Sequence, residues 1–146
     1  MEIHENVFLA NILQLFAILH PQPSVVETPR GTLRGLHVDL GGDSLFHGHA
    51  DVFLGIPYAV PPVGEMRFKP PKEVESYGDI NTTSYRDVCP QLQTQTAYPM
   101  SEDCLYLNVI TPKAHAGSGT YPVMVWIHGG SLSEGSARGL DVRGAI

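Results

Sequence analysis

The first predicted strands lie on either side of a turn signal, and the second of them alternates apolar and polar residues. Two strand-like runs, 25–28 and 32–40, flank Pro29-Arg30-Gly31, which is a short turn signal. In the second run, polar residues alternate with three apolar ones: Leu36, Val38 and Leu40. Side chains alternate between the two faces of a strand, so this run predicts a strand with one apolar face.

Further strands and a proline-rich extended stretch are predicted later in the chain. Strands are predicted at 51–57 and at 105–111, and the prolines between 57 and 71 favour extended backbone over helix. Residues 72–103 show no clear periodicity and are expected to be irregular. No amphipathic helix of normal length is predicted anywhere in the chain. An α/β sheet would need such helices to cover its faces.

The segment Val123–Ile127 has a different pattern, because its apolar residues are continuous. A continuous apolar strand has to be covered on both faces, as in the middle of an α/β sheet. It leads directly into His128-Gly129-Gly130. We therefore expect a buried strand that ends in a glycine-rich loop.

The N-terminal segment has its own composition. The apolar run 7–19 is interrupted by Asn11 and Gln14, and Pro21 and Pro23 follow it. It is too short to span a bilayer and resembles the apolar core of a signal peptide. We predict a signal peptide at 1–22 and a single domain at 23–146, with a buried helix as the alternative for the first segment.

Charge and composition exclude some classes of function. The 146 residues carry a net charge of −6 and contain no basic run, so we expect no nucleic-acid partner. His47-Gly48-His49 has no third ligand at a useful spacing, and it is expected to be an exposed loop without metal. Nothing else in the sequence requires a metal or a cofactor.

Two features agree with export from the cell. The chain has two cysteines, Cys89 and Cys104, a number and spacing that allow a disulfide to close a small loop. Asn81-Thr82-Thr83 is an N-glycosylation sequon within a polar stretch. With the leader, they predict a secreted or extracellular location.

Three blocks of sequence resemble the type B carboxylesterases, which include cholinesterases and the non-enzymatic neuroligins. The blocks are Phe53–Pro71 with its Gly-Ile-Pro-Tyr-Ala core, Ser101–Val109 around Glu-Asp-Cys-Leu, and Pro122–Gly135 with the His-Gly-Gly loop. The resemblance implies an α/β fold: the N-terminal segment of an α/β-hydrolase, incomplete, with antiparallel leading strands and the start of the central sheet.

The resemblance also implies the role of the glycine-rich loop. In such enzymes backbone N–H groups on this loop stabilise the oxyanion of an acyl substrate, and each donor contributes about 3 kcal/mol in the transition state. Gly129, Gly130 and Ser131 are the candidates here, with the N–H groups of Gly130 and residue 131 as donors. Ser131 replaces the usual third glycine, and neuroligins look similar at this position.

Structural roles follow from the same resemblance. Cys89 and Cys104 match the family's first disulfide, which is worth on the order of 3 kcal/mol for a loop of this length. Arg67 and Glu102 match an internal ion pair, expected to be partly buried near Cys104. Thr94 replaces the aromatic residue that would bind choline, so choline esters are a poor fit as substrates.

A catalytic nucleophile is missing from these residues. A serine hydrolase of this fold needs Ser within Gly-x-Ser-x-Gly, an acid and a histidine, and no serine of the chain has that context. We expect the chain to end before the nucleophile and to be inactive, and we expect the isolated product to be unstable or to aggregate.

Two functions remain open. The first is a fragment of a secreted serine carboxylic-ester hydrolase, whose substrate is a small-molecule carboxylic ester. The second is a neuroligin-like adhesion protein without catalysis, which binds an extracellular protein partner. Ser131, Glu134 and the sequon favour adhesion, and the short loop between the cysteines favours an esterase.

Overall fold

The computed structural model describes residues 23–39, 48–92, 97–112 and 120–139. The predicted signal peptide, Thr94 and His47 lie outside the described residues. The described part is built around one five-stranded sheet.

The sheet is mainly antiparallel. Its strands are β1 (Pro23–Thr28), β2 (Gly31–Asp39), β3 (His49–Pro57), β4 (Gly78–Asn81) and β5 (Tyr106–Pro112). The order is β1-β2-β3-β5, with antiparallel neighbours throughout, and β4 pairs with β2 in parallel. The four strands predicted from the sequence are therefore confirmed over the described residues. The expectation of irregular structure over 72–103 is wrong at β4, a four-residue strand within that range.

Both faces of the sheet carry apolar clusters. Leu33, Phe53 and Ile56 form one buried cluster, against which Tyr77 and Ile80 pack. The other face buries a second cluster, Ala50, Val52 and Leu54, and is extended by Leu36, Val38, Tyr85 and Ile110. The alternation predicted for β2 is thus seen in its packing, because Leu36 and Val38 contact the same cluster.

A bulge in β3 sets which residues share a face. The pairing with β5 shifts between Phe53, opposite Val109, and Ile56, opposite Leu107. Phe53 and Ile56 are three positions apart, yet the extra residue brings both side chains into one cluster. Gly55 supplies the backbone freedom for the bulge, since its φ is +72°.

The prediction of a strand over Val123–Ile127 is wrong for the structure described here. These residues form no strand, and their side chains are exposed, from 51% at Trp126 to 88% at Met124. A continuous apolar segment becomes a buried strand when neighbours satisfy its backbone and cover both faces. No such neighbours are present in the described part of the chain.

Helical structure is sparse among the described residues. Two single 3₁₀ turns occur, at Gly64–Met66 and at Ala137–Gly139. Within the same residues, no helix has the length and apolar character that a membrane span needs.

Candidate functional site

The candidate site is built around the glycine loop, defined here as residues 128–135. Gly130, Ser131 and Leu132 have positive φ values of 125°, 52° and 61°. The carbonyl of Gly130 accepts the N–H groups of Ser133 at 2.9 Å and Glu134 at 3.1 Å, which closes the turn. Left-handed backbone at Ser131 and Leu132 costs about 1–2 kcal/mol per residue, so the turn is held in a strained shape.

Of the first two glycines of the loop, only Gly130 is required by close packing. A Cβ atom on Gly130 would lie against the carbonyl oxygen of Glu134, in contact with backbone that cannot move without opening the turn. A Cβ atom on Gly129 would meet no atom within 4 Å. The two adjacent glycines therefore differ, and Gly130 is the one on which the conformation depends.

The candidate oxyanion donors are two backbone N–H groups of the glycine loop. Within the described part of the chain, the N–H groups of Gly130 and Ser131 have no acceptor at hydrogen-bond distance. The His128 ring is turned back, with Nδ1 at 2.8 Å from the carbonyl oxygen of Gly129. A carbonyl only accepts, so Nδ1 carries the proton. Two adjacent backbone N–H groups are thus left without an acceptor among the described residues, and His128 is hydrogen-bonded within the loop itself.

The disulfide-bonded segment lies beside the glycine loop. Cys89 and Cys104 form a disulfide with their Cα atoms 5.1 Å apart. The same segment is closed by backbone hydrogen bonds, because Val88 donates to Pro99 and accepts from Ser101, both at 3.0 Å. The spacing that allowed a disulfide in the sequence corresponds to an actual pairing.

The Gln91 side chain connects that segment to the loop. Its Oε1 accepts the N–H of Gly135 at 3.0 Å, and its Nε2 donates to the Gly135 carbonyl at 3.0 Å. Nε2 also donates to the carbonyl of Cys89 at 3.2 Å. One amide thus satisfies both backbone polar groups of the residue that ends the loop.

Arg138 fixes the chain that follows the loop. Its guanidinium lies 4.3 Å from the ring centroid of Tyr98 and 5.6 Å from that of Tyr85. Cation–π contacts of this kind stabilise by about 0.5–1 kcal/mol at exposed sites. The segment after the loop is therefore held by contacts separate from the Gln91 amide.

Arg67 and Glu102 form an ion pair, but a more exposed one than the internal pair that the resemblance implies. Arg67 Nε lies 2.6 Å from Glu102 Oε1, with the two side chains 53% and 42% exposed. Both residues line a surface hollow together with Cys104, Phe68 and two prolines, Pro62 and Pro90. The pair is half-exposed and lies beside the disulfide rather than at the glycine loop.

Asn81 lies at the end of β4, with an exposed side chain. Its Oδ1 accepts the N–H of Thr83 at 3.1 Å. Thr82 between them is fully buried, and its hydroxyl donates to the carbonyl of Arg34 at 2.9 Å. The Asn side chain of the sequon is thus on the surface while its middle residue anchors the segment to β2.

Of the histidine pair considered in the sequence, His49 can be placed. Its ring stacks on His37 with centroids 5.1 Å apart, and His37 Nδ1 lies 2.9 Å from Asp51 Oδ1. Among the described residues, no group of three or more His, Cys, Asp or Glu side chains has the arrangement of a metal site.

Sequence reasoning missed Gln91, Asn108 and Arg138, which hold the segments around the loop. Asn108 Oδ1 accepts the N–H of Gly55 at 2.9 Å, and its Nδ2 donates to the carbonyl of Ala137 at 3.1 Å. A polar residue that contacts distant backbone has no periodic signal. The signals that could have pointed to them are positional: Asn108 lies within the second block that resembles the family, and Gln91 follows Cys89 by two residues.

Comparisons with known proteins point to one family. The model of the Carboxylesterase family matches residues 22–144. Liver carboxylesterase 1 of Oryctolagus cuniculus is 41% identical, over 91% of this chain and 26% of that protein. Carboxylesterase 1F of Mus musculus is 40% identical, over 94% of this chain and 27% of its own length. The chain thus spans about a quarter of the length of the curated relatives it matches.

Solved structures give a similar result. A thermophylic pNB esterase superposes with a TM-score of 0.61 at 39% sequence identity. The match covers 77% of this chain and 22% of that chain. A second structure, titled pNB esterase, superposes with the same TM-score and identity.

Proposed function

The chain belongs to the carboxylesterase family, and on that basis we propose that its glycine loop is the oxyanion side of a secreted serine carboxylic-ester hydrolase. Its sheet is part of an α/β-hydrolase fold, which is the fold of the esterases with which it superposes. The proposed substrate is a small-molecule carboxylic ester. The observation that carries the proposal is the pair of backbone N–H groups at Gly130 and Ser131, which have no acceptor among the described residues.

The chemistry of ester hydrolysis explains why such a pair matters. When a nucleophile adds to the ester carbonyl, the oxygen becomes negative, and fixed N–H donors stabilise it without having to reorganise. The turn closed by Gly130, Ser133 and Glu134 holds the loop in one shape. Ser131 retains a backbone N–H, and its φ of 52° lies in the left-handed region that a glycine also adopts. The serine is therefore compatible with the donor role.

The nucleophile has to come from outside these 146 residues. No serine among them lies in Gly-x-Ser-x-Gly, and His128 hydrogen-bonds within its own loop. We therefore propose that the chain alone does not hydrolyse esters, and that turnover needs a serine, an acid and a histidine located elsewhere.

One experiment tests whether this chain supplies the oxyanion donors while the catalytic triad comes from another part of the protein. Residues 23–146 are joined to the remaining part of the catalytic domain of Oryctolagus cuniculus liver carboxylesterase 1, which gives a product called here the joined protein. We expect the joined protein to hydrolyse p-nitrophenyl acetate and the 146-residue chain not to do so. Turnover by the isolated chain, or a folded joined protein without turnover, would count against the proposal. The second result would favour the adhesion function.

Export is part of the proposal. The Cys89–Cys104 disulfide needs an oxidising compartment to persist, and Asn81 is exposed at the end of a strand. The expected result is a secreted product whose electrophoretic mobility increases after enzymatic removal of N-glycans. The Asn81→Gln variant should show no such change, and a chain retained in the cytosol would contradict the proposal.

A further inference from the structure

The Gln91 amide makes three hydrogen bonds to backbone, two as a donor and one as an acceptor. Oε1 accepts from Gly135, and the two N–H groups of Nε2 reach the carbonyls of Gly135 and Cys89 at 3.0 and 3.2 Å. A neighbouring strand would satisfy Gly135 in a similar way. Here one side chain replaces that neighbour, and it joins the end of the glycine loop to the residue that begins the disulfide.

The position of Gly135 determines the position of the loop's first residues. A Cβ atom on Gly135 would lie 2.6 Å from the carbonyl oxygen of Gly129 and would also contact the His128 ring. The two ends of the glycine loop are thus packed directly against each other. A shift of Gly135 would displace Gly129, and with it the N–H groups that follow.

The other end of the Gln91 contacts lies on a covalently closed segment. Gln91 follows Cys89 by two residues, and its own N–H lies 3.4 Å from Met100 Sδ, on the far side of that segment. The contacts of Arg138 with Tyr98 and Tyr85 act on the chain beyond the loop. Among the described residues, Gln91 is therefore the side chain that connects the disulfide-bonded segment to Gly135 itself.

We propose that Gln91 is a positioning residue that couples the Cys89–Cys104 disulfide to the glycine loop. Its amide transmits the rigidity of the closed segment to the oxyanion donors, so reduction of the disulfide loosens the loop. The inference rests on the proposed function for the importance of the donors, but the coupling itself is a property of the chain and is measured without substrate.

Hydrogen–deuterium exchange of the purified 146-residue chain, at low concentration, tests the coupling. Gln91→Leu should speed exchange in peptides covering 128–136 by about tenfold, because two hydrogen bonds to Gly135 are lost. Peptides covering β3 should be unchanged. Thr32→Val, which removes an exposed hydrogen bond to Glu27 on the β1–β2 hairpin, is the matched control and should change neither region.

Reduction separates coupling from a general loss of stability. Reducing the wild-type disulfide should speed exchange over 128–136 to a similar extent, and reducing the Gln91→Leu variant should add less than twofold there. Equal additional effects of reduction in both proteins would overturn the proposal, as would unchanged exchange over 128–136 in Gln91→Leu.

A second variant covers the case in which Gln91→Leu unfolds the chain, seen as faster exchange in β3. In Gln91→Glu a charged carboxylate faces two carbonyls without a donor, and protonation restores one donor. Its exchange over 128–136, relative to wild type at each pH, should therefore slow as pH falls from 7 to 4. A ratio independent of pH would overturn the proposal. Failure of the joined protein to hydrolyse esters would count against the proposed function and leave these exchange results unaffected.

Discussion

Asn108 on β5 accepts the backbone N–H of Gly55 at 2.9 Å, at the point where β3 bulges away from β5. The other end of the same amide donates to Ala137, just after the glycine loop. Gly55 and Asn108 belong to the first and second sequence blocks that resemble the carboxylesterases, and Ala137 follows the third. One side chain of the second block therefore hydrogen-bonds to the backbone of the first block and to the backbone just after the third.

Replacing this amide should be costly. We expect Asn108→Leu to lower the free energy of unfolding by about 1–3 kcal/mol, because the Gly55 N–H and the Ala137 carbonyl lose their partner. Asn108→Asp keeps the acceptor for Gly55 and should cost less. Urea unfolding of the joined protein measures both. Equal losses for the two variants would show that the contact with Gly55 carries no special weight.

The exposed segment Val123–Ile127 should make the isolated chain associate. Its side chains are 51–88% exposed, a continuous apolar surface of the kind that soluble proteins avoid. Introducing charge by Val123→Lys and Val125→Lys should lower light scattering of the 146-residue chain at a given concentration. Thr111→Lys on β5 adds charge elsewhere and serves as the control. If the control suppresses scattering as well as the double variant, a general effect of added lysine rather than this segment governs association.

Tyr106 should give stability a dependence on alkaline pH. Burial, together with the hydrogen bond to Asp103 at 2.7 Å, raises the pKa of Tyr106 to about 12. Its value in the unfolded chain is near 10. The folded state thus keeps the proton longer, and the contribution is complete below pH 10 and is lost as pH rises through 12.

The test compares wild type with Tyr106→Phe in the joined protein by denaturant midpoints between pH 9 and 12. We expect the wild-type midpoint to fall more steeply over that range than that of the variant. Parallel curves would mean that the ionisation of Tyr106 is not linked to folding.

Ser131 carries a conformational cost that a glycine would avoid. Its φ of 52° costs a residue with a side chain about 1–2 kcal/mol of stability. Glycine avoids that cost, but its greater conformational entropy in the unfolded chain lowers stability by about 0.4–1 kcal/mol. Ser131→Gly should therefore raise the stability of the joined protein slightly and keep its hydrolytic activity, because the N–H remains. A lower melting temperature would indicate that the serine side chain makes a stabilising contact in the joined protein.

Residue patterns in the sequence predicted four strands of the sheet but not its irregularities. Strands β1, β2, β3 and β5 were predicted from residue patterns, and β2, β3 and β5 contribute apolar side chains to the two clusters. The bulge at Gly55 breaks the period of two and brings Phe53 and Ile56 to the same face. β4 was missed because four residues with one apolar side chain, Ile80, carry no pattern, and its pairing with β2 comes from tertiary contact.

The candidate site was predictable to a different degree. The glycine loop, Cys89 with Cys104, and Arg67 with Glu102 followed from resemblance to a family. The pattern of Val123–Ile127 predicted a strand, but a strand also needs neighbours, and none is present in the described residues. Contacts from side-chain amides to remote backbone, as made by Gln91, depend on the folded geometry and leave no trace in local sequence.

The central claim is that the N–H groups of Gly130 and Ser131 stabilise an oxyanion. Its most direct test is kcat for p-nitrophenyl acetate in the joined protein with Gly130→Ala, beside Ser133→Ala as the control. A Cβ atom at residue 130 cannot coexist with the turn, whereas Ser133→Ala removes a hydroxyl at 3.2 Å from the Gly130 carbonyl and keeps the backbone hydrogen bond. We predict a loss of about 100-fold or more for Gly130→Ala and less than about threefold for Ser133→Ala. Equal rates in wild type and a folded Gly130→Ala protein would contradict the account.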